Sequence, residues 1–129
     1  MNIVLWIIQI LVAAAFGLFG FMKVSQPVDA LAAMMPWVTA VPALLVPLIG
    51  VAELAGALGM ILPRLTKIQP NLTAYAGVGL SLVMVLASAF HITRGEFGNL
   101  PINLVLLVLS TVVAYGRWPR PQKLAQAPA

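Results

Sequence analysis

Apolar residues run through this chain in four long stretches, each interrupted at regular intervals by a small or polar residue. The first covers residues 2–22, NIVLWIIQILVAAAFGLFGFM; the second roughly 42–62, PALLVPLIGVAELAGALGMIL; the third roughly 71–92, ending in SLVMVLASAFHI; the fourth roughly 100–116, LPINLVLLVLSTVVAYG. About 20 mostly apolar residues make a helix long enough to cross a bilayer, so the pattern predicts four spanning helices. The first stretch reads as a span rather than a cleaved leader, because no basic segment precedes it. The connection at 24–41 carries a pattern of its own. Ser25 and Pro27 suit a helix start, Val28, Leu31, Ala32 and Met35 fall on one face, and Pro36 follows as a stop. A short helix lying on the membrane interface is expected there.

Within each stretch the polar residues keep helical spacing, in steps of three and four, which places them on one face. Gln9, Phe16 and Lys23 share a stripe in the first, with Gly20 beside it. Val46, Gly50, Glu53, Ala57 and Met60 share one in the second; Gly77, Ser81, Met84, Ser88 and His91 in the third; Asn99, Asn103, Leu106 and Ser110 in the fourth. Four helices that each gather their polar side chains on one line are expected to turn those lines toward one another. For the glycines and serines the ordinary role is packing: small residues let helices approach, and a hydroxyl bonds across the gap. The ionisable residues ask for more. A charge in hydrocarbon costs on the order of 2.5–3.5 kcal/mol on insertion scales, and such residues mark functional sites.

Lys23, His91, Asn99 and Asn103 belong to the same end of their helices. The depth of Glu53 decides whether it joins them. Counted from residue 42 it lies about 16 Å into the membrane, and from Pro47 about 9 Å. Proline fits the first turn of a helix, which favours the shallower placement, where both a lysine and a histidine reach the carboxylate. A polar cluster of Lys23, Glu53, Ser88, His91, Asn99 and Asn103 is therefore expected in the outer half of the bundle, with Arg94 and Glu96 at its mouth. A lysine beside Glu53 would keep both groups charged.

Composition agrees with a membrane chain. Of 129 residues, 62% are hydrophobic and 8% charged, against about 25% charged in soluble domains. The fold class expected is all-α: an integral membrane four-helix bundle with a short interfacial helix between the first and second spans. One domain over 1–117 is followed by a tail, 118–129, whose three prolines favour disorder. The net charge of +4 does not indicate nucleic acid, because the basic residues stand at the ends of apolar runs. Arg64, Lys67, Arg117, Arg120 and Lys123 fall on one side and Lys23 and Arg94 on the other, so the positive-inside rule places both termini in the cytoplasm. Trp37 and Trp118 suit interfacial anchors on opposite faces. With no cysteine there is no thiolate chemistry, and one histidine makes a protein-built metal site improbable.

The motifs resemble the DoxX-like family of small four-helix membrane proteins related to DoxX and DoxD. They are FGLFGFMK with Lys23, GVAELAGALGMILP with Glu53, LTAYAGVGLSLVMVLASAFHITRGEF with His91, and NLVLLVLSTVVAYGRW with Asn103 and Arg117. The likeness spans roughly residues 5 to 117. It implies a bacterial-type cytoplasmic (inner) membrane location and an association with redox assemblies, since relatives include small subunits of sulfur-oxidising quinone reductases and members of assemblies linked to oxidative stress. It names no ligand.

Three functions remain open on the residues. The first is an accessory or binding subunit whose outer pocket holds a small amphiphile such as a quinone, or docks a membrane redox partner. The second is an oxidoreductase-type enzyme with His91 and Glu53 as an acid–base pair. The third is a proton-coupled transporter, for which four short helices leave little room unless the chain forms a homo-oligomer.

Overall fold

The computed structural model describes residues 2–119. Among these the chain is all-helical. Helix α1 is Asn2–Ser25, the short α2 is Val28–Leu31, α3 is Leu45–Thr66, α4 is Leu72–Thr93 and α5 is Leu100–Gly116, with 3-10 turns at Pro36–Ala40 and Phe97–Asn99. Four of the helices are long and apolar enough to cross a membrane. They form a closed ring in chain order, α1 against α3, α3 against α4, α4 against α5, and α5 back on α1. The tail expected from Trp118 lies outside the described residues from position 120 onward, as do Arg120 and Lys123.

The buried stripe of each helix holds nearly every polar residue of its span. Leu5, Gln9, Val12, Phe16, Gly20 and Lys23 are buried on α1, and Val46, Gly50, Glu53, Ala57, Met60 and Pro63 on α3. The opposite faces carry Ile7, Leu11, Leu18, Leu58, Leu82 and Val108, all more than half exposed, as a lipid-facing coat requires. On α4 the stripe drifts by one position: Leu80 takes the buried place and Ser81 is half-buried, giving its hydroxyl to the Gly77 carbonyl at 2.7 Å.

Two helix pairs approach closely, and glycine permits it. A Cβ on Gly50 would lie 2.7 Å from the Gly20 carbonyl oxygen and 2.8 Å from the Lys23 Cβ. One on Gly77 would lie 2.9 Å from both the Ser110 carbonyl and the Ala114 nitrogen. Bare backbone on α1 and α3 thus brings Lys23 and Glu53 within reach of each other.

The interfacial segment differs from expectation. One helix from Pro27 to Pro36 was expected; the chain instead makes a single turn, α2, and a separate 3-10 turn. Pro36 does not stop a helix but begins that turn, where its missing N–H costs nothing. The apolar face is kept: Leu31 and Val38 pack on Val46, with Val28, Ala32, Met35 and Trp37 around them. The segment is a strap folded over one end of the bundle. The third-span start at Leu72 and the fourth at Leu100 fall within one residue of the pattern, whereas α3 begins at Leu45 and runs through Pro63 to Thr66. A proline near a helix end loses one backbone bond and the last turn survives it.

Candidate functional site: a polar cluster under the strap

Glu53 stands two turns into α3, about 12 Å from its first residue at 1.5 Å per residue. It is 2% exposed, and Lys23 is 8% exposed. The Lys23 Nζ donates to Glu53 Oε1 at 2.5 Å. The charges neutralise one another where neither has water, and removing either partner would strand the other. The strap completes the enclosure. Nζ lies 5.7 Å from the Trp37 ring centroid and 6.0 Å from that of Phe19, so two aromatic faces attract the ammonium. Trp37 is half-buried, and its ring contacts both Lys23 and His91, which the sequence pattern did not anticipate.

His91 belongs to a second group that also touches Trp37. Its ring meets the indole edge-on at 6.3 Å. Its Nδ1 is 3.2 Å from Glu96 Oε1 and 3.5 Å from Asn99 Nδ2. The expected convergence of lysine and histidine on Glu53 is corrected: Lys23 pairs with Glu53, and His91 contacts Glu96. The cause is the way α4 ends. Gly95 adopts φ +71°, Glu96 N–H bonds the His91 carbonyl at 2.8 Å, and Gly95 N–H bonds that of Ile92 at 3.1 Å. This left-handed cap folds the chain back and sets the Glu96 carboxylate beside the imidazole. Arg94 Nε donates to the same Glu96 oxygen at 2.8 Å, and its guanidinium lies 5.5 Å from the Phe90 ring. The Arg94 hydrogen bond first, with help from His91, holds the Glu96 carboxyl below the ordinary carboxylate range. The His91–Glu53 contact that an acid–base pair needs is not formed.

Ser88 lies one turn below His91 on α4, and Asn103 one turn below Asn99 on α5. The Ser88 hydroxyl and the Asn103 Nδ2 are both buried with no hydrogen-bond partner. Buried donors without acceptors are uncommon and costly. Among the described residues, no group of three or more metal-ligating side chains gathers.

A further polar group was not expected. At the opposite end of the bundle Arg117, only 6% exposed, donates through Nε to Gln9 Oε1 at 2.7 Å and through Nη1 to Asn2 Oδ1 at 2.6 Å. Gln9, fully buried, in turn donates to the Met60 carbonyl at 2.6 Å. Gln9 in mid-span was the available signal, since a buried amide needs partners on a neighbouring helix. Position after the last apolar run counts Arg117 toward orientation and the family motif includes it, but neither predicts a bond to Gln9 or Asn2.

No curated protein matches this chain, and no solved structure does. The model of the DoxX-like family matches residues 7–113, a stretch that includes Lys23, Glu53, His91 and Asn103, and the chain belongs to the DoxX-like family.

Proposed function

We propose that this multi-pass membrane protein is an accessory or binding subunit, and that the polar cluster under the strap holds a small amphiphile with a carbonyl head, such as a quinone, for a membrane redox partner. The observation that carries the reading is the pair of unpartnered buried donors, Ser88 Oγ and Asn103 Nδ2, one turn below His91 and Asn99. A quinone carbonyl accepts hydrogen bonds and its tail needs an apolar slot, and ligand sites are commonly a few polar groups set in apolar walls. Lys23 and Glu53 fix α1 to α3 beside the site, while Arg94 and Glu96 form its rim. The cluster faces the extracytoplasmic side of a bacterial-type inner membrane, with both termini in the cytoplasm. This reading stands ahead of the oxidoreductase and transporter readings because the donors are in place and the His91–Glu53 pair is not.

The test is solvent extraction of the protein purified in mild detergent, with mass spectrometry of the extract, followed by binding of added ubiquinone or menaquinone analogues. Retained quinone is expected. Asn103→Leu should weaken binding about 5-fold, the worth of one hydrogen bond near 1 kcal/mol, while Ser81→Ala, whose hydroxyl is already satisfied within α4, should not. A protein that neither retains nor binds quinone, or an Asn103→Leu variant that binds it fully, removes the proposal.

A further inference from the structure

The chain has three acidic side chains, Asp29, Glu53 and Glu96. Asp29 is on α2 in the strap, Glu53 pairs with Lys23 beneath it, and Glu96 caps the end of α4 at the same pole. The opposite pole gathers Arg64 in the last turn of α3 and Arg117 just after α5, with no Asp or Glu to neutralise them. Asn2 and Gln9 satisfy two faces of the Arg117 guanidinium as neutral acceptors, and the Trp6 ring, 5.8 Å away, covers another. Three donors at this pole are left buried and unpartnered: Arg117 Nη2, Arg64 Nε and the hydroxyl of Thr73, in the first turn of α4. Thr73 is fully buried.

The two guanidiniums are close enough to feel each other. Burial first, and then the like charge of Arg64, lowers the Arg117 pKa. Two cations at one pole with unpartnered buried donors and no Asp or Glu to neutralise them suit an anion. The planar fork of arginine matches oxygens on phosphorus, and basic pockets between spanning helices at the cytoplasmic surface take phosphate head groups. Gln9 shapes the site from below. Its amide nitrogen is committed to the Met60 carbonyl, so its oxygen must face Arg117, and Nη2 is left pointing elsewhere.

We infer that Arg117, Arg64 and Thr73 form a phosphate-binding site at the pole opposite the strap, independent of the cluster around Glu53. The phosphate comes from an anionic phospholipid or from a soluble phosphate compound, and the same three groups would bind either.

The two sources separate in one experiment. The full chain is delipidated in detergent, and its thermal midpoint and native mass spectrum are recorded with phosphatidylglycerol, with phosphatidylcholine, and with inorganic phosphate against chloride at equal ionic strength. A rise in midpoint and a retained adduct with phosphatidylglycerol but not phosphatidylcholine assigns the site to lipid. A rise with inorganic phosphate over chloride assigns it to a soluble phosphate. In either case Arg64→Gln should weaken the effect by about 10-fold, the loss of a charge-assisted bond. Arg64 is only half-buried and has no part in the Gln9 network. Should Arg64→Gln not fold, Arg64→Lys replaces it: an ammonium keeps the charge but not the fork, and a loss of several-fold is still expected. The inference fails if neither phosphate source does more than its control, or if the folded Arg64 variant binds as the parent does.

Discussion

Lys23 and Glu53 depend on each other more than on the fold around them. Each is stranded without its partner, and truncating one side of a buried pair costs about 3–5 kcal/mol. Replacing both with apolar residues of similar volume removes that penalty. Lys23→Met and Glu53→Leu should therefore each destabilise by about 3 kcal/mol, and the double variant by far less than their sum. Unfolding titrations with a denaturing detergent read the difference, and additive losses would show that the pair is not coupled. The double variant also separates structure from function: it should fold yet present an altered site. Much of this was visible in the sequence, because Gly20, Lys23, Gly50 and Glu53 keep helical spacing and an acid in an apolar run needs a base nearby. The choice made by His91 was not visible. It hangs on Gly95 adopting a left-handed conformation, which sets Glu96 beside the imidazole. Spacing along one helix says nothing about a side chain delivered by a loop.

At the scale of elements, the α1–α3 crossing controls the site. Gly50→Ala places a methyl carbon 2.7 Å from the Gly20 carbonyl oxygen, a backbone atom that cannot rotate aside. The helices must part, at about 1–3 kcal/mol, and the Lys23–Glu53 contact should loosen with them. Gly79 is the matched control, since a Cβ there meets nothing within 4 Å. Gly79→Ala should leave stability unchanged or raise it by up to about 1 kcal/mol through helix propensity. Thermal unfolding of the two variants in the same detergent checks both expectations; equal effects would mean that the crossing is not tight. The stripe pattern made this crossing readable, as Gly50 falls one turn before Glu53. The strap was less readable. Proline at 36 signals an interruption, but whether a turn stops or starts there depends on what Trp37 and Val38 pack against, and those partners, Lys23 and Val46, are on other elements.

For the whole molecule, four spanning helices put Asn2 and Arg117 at the same pole, and the chain offers a clean way to learn which side of the membrane that pole faces. It has no cysteine, so single cysteines report without background. Ala40→Cys lies on the strap and Asn71→Cys in the turn before α4, both exposed. In intact cells a membrane-impermeant thiol reagent should label Ala40→Cys, and Asn71→Cys only after permeabilisation. The reverse pattern would invert the orientation derived from the basic residues. The four spans were legible from apolar run lengths alone; the order of the helices around the ring was not, because run length does not say which helices touch. The Arg117 network was not, because it joins the first turns of α1 to a residue beyond the last helix, and no local pattern links positions so far apart.

The placement of all three carboxylates at the strap pole has an electrical consequence. That pole holds Lys23 and Arg94 against Asp29, Glu53 and Glu96, a sum of 2 − 3 = −1, while Arg64, Lys67 and Arg117 make the other pole +3 among the described residues. The bundle is thus a dipole along the membrane normal. In an energised membrane with a negative interior, each charge moved across is worth about 2.3 kcal/mol per 100 mV. With the Arg64–Arg117 pole on the negative side, voltage would favour the same orientation that the positive-inside rule expects, and an inverted copy would have to climb that field.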